Sequence, residues 1–152
     1  FSAGADLEEA RAGLATSPLW ERLSAAIATL PCLTIAALNG TLAGGAFGMA
    51  LACDLRIAVP DARFFYPVAK LGFLPQPSDP GRMVALIGPA RAKLVLLAGQ
   101  KLSAEEALAF GLIDRIVPGD VVQAACDLAG DALAGDRDAL HAIKAMCAGG
   151  TG

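Results

Sequence analysis

Thr41-Leu42-Ala43-Gly44-Gly45-Ala46-Phe47-Gly48-Met49-Ala50-Leu51-Ala52 opens with a glycine pair and continues with good helix formers, so it is predicted to be a turn that enters a helix. The first turn of such a helix carries backbone N–H groups with no carbonyl to bond. Just before it, the short apolar run Leu33-Thr34-Ile35-Ala36-Ala37-Leu38 stops at Asn39-Gly40, the pattern of a fully buried strand ending in a turn. Just after it, Leu55-Arg56-Ile57-Ala58-Val59 is a second short strand, and Ala62-Arg63-Phe64-Phe65-Tyr66 is extended up to Pro67. Buried strands alternating with a helix predict an α/β fold.

Outward from this centre, Leu14, Leu19, Leu23, Ile27 and Leu30 recur at three- and four-residue spacings, which predicts helix over 7–30, divided at Ser17-Pro18. The turn-rich stretch between Pro75 and Pro80 offers Ser78 and Asp79 as caps for a helix beginning near Gly81. Gly88-Pro89 should separate helical blocks Arg82 to Ile87 and Arg91 to Leu97. Ser103-Ala104-Glu105-Glu106 has the form of a capping box, and Gly111 should close that helix ahead of a strand over Leu112 to Val117. Amphipathic helices are predicted from Val121 to Leu133 and from Arg137 to Cys147.

At 152 residues and 55% hydrophobic, the chain suits one domain or part of one. A net charge of -3 without runs of like charge gives no handle for nucleic acid or an anionic membrane surface. The longest apolar stretches, around Leu42 to Ala52 and Met83 to Leu97, are interrupted by Gly, Pro, Arg and Lys and are too short to span a bilayer. A soluble, cytoplasmic protein is expected. Cys32, Cys53, Cys126 and Cys147 lack the spacing of a zinc site or a disulfide framework, so reduced and buried thiols are expected, with no metal. The start at Phe1-Ser2-Ala3-Gly4-Ala5-Asp6 has the character of the middle of a fold, and the chain is read as a fragment.

Two places present backbone N–H groups to an anion or carbonyl: Ser2-Ala3-Gly4-Ala5-Asp6 and Gly44-Gly45-Ala46. Small residues matter there because a side chain would block close approach of a ligand oxygen to the main chain. Taken alone, a glycine pair at a helix entrance is more often tight packing.

Read in order, Phe1-Ser2-Ala3-Gly4-Ala5-Asp6, Ala37-Leu38-Asn39-Gly40 with Ala43-Gly44-Gly45, and Cys53-Asp54-Leu55-Arg56-Ile57-Ala58 resemble successive blocks of the crotonase superfamily, the enoyl-CoA hydratase/isomerase family. Ala62-Arg63-Phe64, Leu71-Gly72-Phe73-Leu74-Pro75, Leu97-Ala98-Gly99, Ser103 to Ala107 and Gly111 to Asp114 continue the likeness over nearly the whole chain. The resemblance implies a crotonase-like (Clp/crotonase) spiral of ββα units, with residues 1–152 forming part of an acyl-CoA-binding core. It implies an acyl-CoA thioester substrate in fatty acid metabolism, no cofactor beyond the coenzyme A of that substrate, and a homotrimer or hexamer completed by C-terminal helices absent here. It also places the oxyanion-hole N–H groups on Ala5 and Gly45, and a backbone contact to the adenine end of coenzyme A on Ala3. Each such donor is worth roughly 3 to 4 kcal/mol to a developing enolate oxygen.

The family's hydratase glutamates fall on Gly48 and Val68, and the carboxylate of its isomerases and dehalogenases falls on Gln76. None of the three can exchange a proton as a carboxylate does. Asp79 is the nearest substitute, with helix capping as the commoner role for an Asp in such a turn. Tyr66 could present a phenol to the acyl pocket or simply pack. Lys93 and Lys101 are candidates for the coenzyme A phosphates, His141 is expected on a solvated helix face, and Asp54 and Arg56 are expected to order a strand entrance. Two functions follow: a lyase or isomerase that stabilises an enolate, and a non-catalytic acyl-CoA-binding or assembly subunit. A Clp-type serine peptidase is set aside, because Ser78 and the distant His141 form no nucleophile motif.

Overall fold

In the computed structural model, which describes residues 1–148, the chain begins with α1 (Leu7–Arg11), a 3₁₀ turn (Leu14–Thr16) and α2 (Pro18–Ala28). Asp6 caps α1 by accepting from the N–H groups of Glu8 and Glu9, and Ser17 caps α2 with Pro18 at its first position. The buried run then gives β1 (Ile35–Leu38), followed by β2 (Leu42–Ala43), a 3₁₀ turn (Gly44–Ala46) and α3 (Phe47–Ala52). A second circuit follows: β3 (Leu55–Ala58), β4 (Arg63–Phe65), α4 (Val68–Leu71) and α5 (Asp79–Leu96). The remainder is β5 (Leu102–Ser103), α6 (Ala104–Phe110), β6 (Arg115–Ile116), α7 (Val121–Leu128), α8 (Gly130–Ala134) and α9 (Arg137–Cys147).

Successive circuits stack in register. β1 lies parallel to β3 with Ile35 opposite Leu55, and β2 lies parallel to β4 with Leu42 opposite Phe64. β3 also pairs with β6, and β4 pairs antiparallel with β5, giving two three-stranded sheets ordered β1-β3-β6 and β2-β4-β5. Each circuit therefore places one strand in either sheet before its helix returns the chain, which is the crotonase-like spiral. Leu38, Phe47, Phe64, Met83, Val95 and Leu102 fill the core between the layers.

Several local expectations change in the folded chain. Thr34 lies ahead of β1, and its N–H and hydroxyl both donate to Asp54 Oδ2, at 2.8 and 3.0 Å. Lys144 on α9 reaches the same oxygen at 2.8 Å. Arg56 is buried, donating to the carbonyls of Leu112, Cys53, Ala50 and Asp54. Asp54 and Arg56 thus order the strand entrance, and burial pulls the Arg56 guanidinium below its ordinary pKa while Asp114 opposes. The strand expected over 112–117 shrinks to Arg115–Ile116, because Leu112 and Ile113 turn into the core immediately after Gly111. Helix over 121–133 divides at Ala129, whereas the expected break at Gly88-Pro89 is kept inside α5, where Gly88 takes φ 79.

The four cysteines are free, but Cys32, Cys126 and Cys147 are exposed, against the expectation of burial. Cys126 and Cys147 occupy the outer faces of amphipathic helices, and Cys32 sits in the turn before β1. Only Cys53 is partly buried, and that burial raises its thiol pKa. The glycine-rich end at 149–152 lies outside the described residues.

The capping box at Ser103 forms as expected: Ser103 Oγ accepts from Glu106 N, Glu106 Oε2 accepts from Ser103 N, and left-handed Gly111 closes α6. Ser103→Ala should cost about 1 kcal/mol, read as a lowered melting temperature without loss of fold.

Candidate functional site

The site begins where the opening segment meets the glycine turn. Ser2 N donates to Thr41 O at 3.0 Å, and Ala43 N donates to Ser2 O at 2.9 Å, so residues 2–5 run alongside β2. Gly4 makes this closeness possible. Its φ is 88°, and a Cβ there would stand 2.8 Å from Ala43 O and 3.4 Å from Gly45 N. Ala5 follows at once, ahead of the Asp6 cap, and among the described residues its N–H joins no backbone hydrogen bond. Gly45 is the second residue of its 3₁₀ turn, where an N–H has no preceding carbonyl to meet.

Both positions line one pocket of about 740 Å³, together with Ala3, Trp20, Tyr66 and Lys101. Trp20 was not anticipated. Its indole Nε1 donates to Leu14 O at 2.9 Å, and its ring carbons lie 3.6 Å from where a Gly45 Cβ would stand, so it roofs the glycine turn. The one available signal was that it is the only Trp in the chain.

Asp79 is the main correction. It starts α5, yet its carboxylate caps nothing, and the N-cap residue Ser78 makes no side-chain cap bond either. Instead Asp79 turns inward, is fully buried, and its Oδ2 accepts from the Tyr66 hydroxyl at 2.8 Å. Its Oδ1 has no partner and lies 3.0 Å from where a Cβ on Gly48 would stand. Gly48 and Val68 supply no carboxylate, but the space beside Gly48 is occupied by one arriving from α5. Gln76 donates to Ala15 O through Nε2, and its backbone N–H lies 3.5 Å from the Tyr66 hydroxyl oxygen.

Tyr66 both packs and engages its hydroxyl. It is buried, stacks on Phe47 with ring centroids 5.3 Å apart, and its phenol is raised above its ordinary pKa by burial and by the neighbouring carboxylate. Burial likewise pushes Asp79 up to about 6, helped by Glu21 and opposed by the Tyr66 hydrogen bond and Arg82.

That shift has a sign for stability. A carboxyl held above its unfolded value binds its proton more tightly in the folded chain, so its contribution is complete below about pH 4 and is lost as pH rises through about 6. The loss is on the order of 3 kcal/mol. Asp79→Asn is expected to abolish this pH dependence and to melt no lower than the parent at neutral pH, measured as melting temperature across the acid range.

Among the remaining candidates, Lys101 reaches the pocket wall with its ammonium 4.5 Å above the Phe65 ring, whereas Lys93 lies on α5 away from that wall. Lys70 also lines the pocket. His141 is exposed on α9, as expected. Among the described residues, no group of His, Cys, Asp and Glu is placed to hold a metal, and no helix is long and apolar enough to cross a membrane.

The family model for enoyl-CoA hydratase/isomerase matches residues 1–149. A Mycobacterium tuberculosis protein described as "Probable enoyl-CoA hydratase EchA17" is 36% identical over 151 residues, covering 95% of this chain and 58% of its own length. Among solved structures, Pseudomonas aeruginosa DspI superposes with a TM-score of 0.87 at 34% identity, covering 98% of this chain and 64% of its own. An enoyl-CoA hydratase from Bacillus anthracis gives 0.82 at 32% identity, with coverages of 93% and 57%. The chain thus spans little more than half of that curated relative. With the stacked two-sheet spiral and the paired loops already in place, these matches make the chain a member of the enoyl-CoA hydratase/isomerase family, of crotonase fold.

Proposed function

We propose that the protein binds an acyl-CoA thioester and stabilises its enolate through the N–H groups of Ala5 and Gly45. The observation that carries this reading is the contact of the two loops at Gly4, which brings two backbone donors without backbone carbonyl partners to the wall of one pocket. Fixed donors in a pocket sheltered from water gain strength as negative charge grows on the carbonyl oxygen and need no reorganisation at that moment. The pocket wall is mainly apolar around them, with Ala10, Trp20, Val68, Leu71 and Phe73 available to an acyl chain or pantetheine arm. Ala3, in the same wall, suits the backbone contact to the adenine end of coenzyme A, and Lys101 and Lys70 are the cations available to its phosphates.

Assembly as a homotrimer or hexamer belongs to the same proposal. Exposed Leu97, Leu133 and Met146 leave apolar surface for other copies. The test is a panel of enoyl-CoA and 3-hydroxyacyl-CoA thioesters offered to the protein, following both binding and turnover. Saturable binding with turnover of at least one member is expected. Binding without any turnover would leave an acyl-CoA-binding subunit, and absence of binding would sink the reading.

A further inference from the structure

The geometry points to Tyr66 as the group that exchanges a proton with the substrate, with Asp79 as the positioning residue that holds the phenol and takes up its proton. This inference rests on the acyl-CoA reading and supplies the proton transfer that reading lacks.

The two side chains come from opposite ends of one stretch of the second circuit, Tyr66 just after β4 and Asp79 at the start of α5, and meet in a buried 2.8 Å hydrogen bond. Tyr66 belongs to the pocket wall, whereas Asp79 stands behind it with no exposure. A carboxylate so placed without a cation bonded to it is costly, and here one of its oxygens lacks any hydrogen bond. Helix capping does not account for it, since no backbone N–H reaches it. Gly48 is shaped around it: a methyl at position 48 would sit 3.0 Å from Oδ1, so α3 presents bare backbone to the carboxylate. The ring stack on Phe47 fixes the phenol plane, leaving rotation of the O–H as its freedom.

The step balances with these groups alone. As the C–H bond beside the thioester carbonyl breaks, its proton passes to Tyr66 Oη while the phenolic proton passes to Asp79 Oδ2. The C–H electron pair remains on the substrate as the enolate, whose oxygen faces the Ala5 and Gly45 N–H groups. Return of the proton along the same path, to the same or a conjugated carbon, restores the ionised carboxylate and the phenol. The titratable groups facing Asp79 are Tyr66, Arg82 on its own helix and Glu21 on α2, whose Oε2 accepts from Ser78 N at 3.2 Å. Glu21 disfavours the charged carboxylate and Arg82 favours it, holding the group where it ionises near about pH 6.

Tyr66→Phe and Asp79→Asn, both close in shape to the parent, test this in the protein. Steady-state kinetics on the best thioester of the panel are read beside calorimetric binding of butanoyl-CoA, a saturated thioester. Each variant is expected to lose at least about 100-fold in kcat while KM and butanoyl-CoA binding stay near the parent's. The parent's kcat/KM should fall on acidification through about pH 6, and Asp79→Asn should lack that limb. Turnover near the parent's in either variant, or an unchanged acid limb in Asp79→Asn, overturns the assignment while leaving the acyl-CoA reading intact. Failure of the parent itself to bind butanoyl-CoA and turn over any thioester overturns both. If Asp79→Asn does not fold, the kcat of Tyr66→Phe decides alone.

Discussion

Gly45→Pro is expected to lower turnover of an acyl-CoA thioester by roughly 100- to 1,000-fold, the cost of deleting one donor from a two-donor oxyanion site. The substitution removes the N–H and sets the ring Cδ in its place, so the carbonyl oxygen loses both the donor and its close approach to this nitrogen. Gly45 occupies the first turn of its 3₁₀ segment, where proline's missing donor breaks no intrahelical bond. A Cβ there would meet the Trp20 ring at 3.6 Å, ordinary van der Waals contact. The fold should therefore survive, shown by an unchanged far-ultraviolet circular dichroism spectrum, while kcat collapses. Full activity in a folded Gly45→Pro protein would show that this N–H is not a donor to the reacting oxygen.

Gly4→Ala should act on both donors at once. The added methyl would lie 2.8 Å from the Ala43 carbonyl oxygen, closer than real Cβ atoms approach backbone, and φ of 88° is a conformation that an L side chain resists. Neither loop yields cheaply. Ser2 is tied to Thr41 and Ala43 by a pair of backbone hydrogen bonds, and Ala43 is buried. A loss of roughly 2 to 4 kcal/mol in stability is expected, together with turnover as low as that of Gly45→Pro, because the loops must part to admit the methyl. Melting temperature and kcat measured on the same preparation check both halves. A stable Gly4→Ala protein with parental turnover would mean that the closeness of the loops is irrelevant to activity.

Most of the frame was legible in the sequence where local chemistry alone decides the outcome. The apolar run ending at Asn39-Gly40, the capping box at Ser103 and the glycine at 111 specify their elements within a few residues, and the folded chain keeps them. The loop at Ser2–Asp6 and the turn at Gly44-Gly45 were legible as sources of free N–H groups, and both line the same pocket. Contacts that depend on the stacking of circuits were not. Nothing near Asp79 in the chain indicates that its carboxylate leaves the helix end for a phenol 13 residues earlier. Capping is the local preference of an Asp in a Pro-rich turn, and tertiary packing against Gly48 and Tyr66 overrides it. Trp20 escaped notice for a related reason: its role is set by the turn it covers, which lies in the next circuit. The exposed cysteines show a further limit, since an apolar sequence neighbourhood on an amphipathic helix does not say which face a thiol occupies.

Isotope-edited difference infrared spectroscopy of a thioester carrying carbon-13 at its carbonyl, bound to the parent and to Gly45→Pro, probes the paired donors most directly. Two N–H groups on one oxygen should weaken the carbonyl bond and lower its stretching frequency in the parent, with a clearly smaller shift in Gly45→Pro. A bound carbonyl that absorbs where it does in water, equally in both proteins, would contradict convergence of the Ala5 and Gly45 amides on that oxygen.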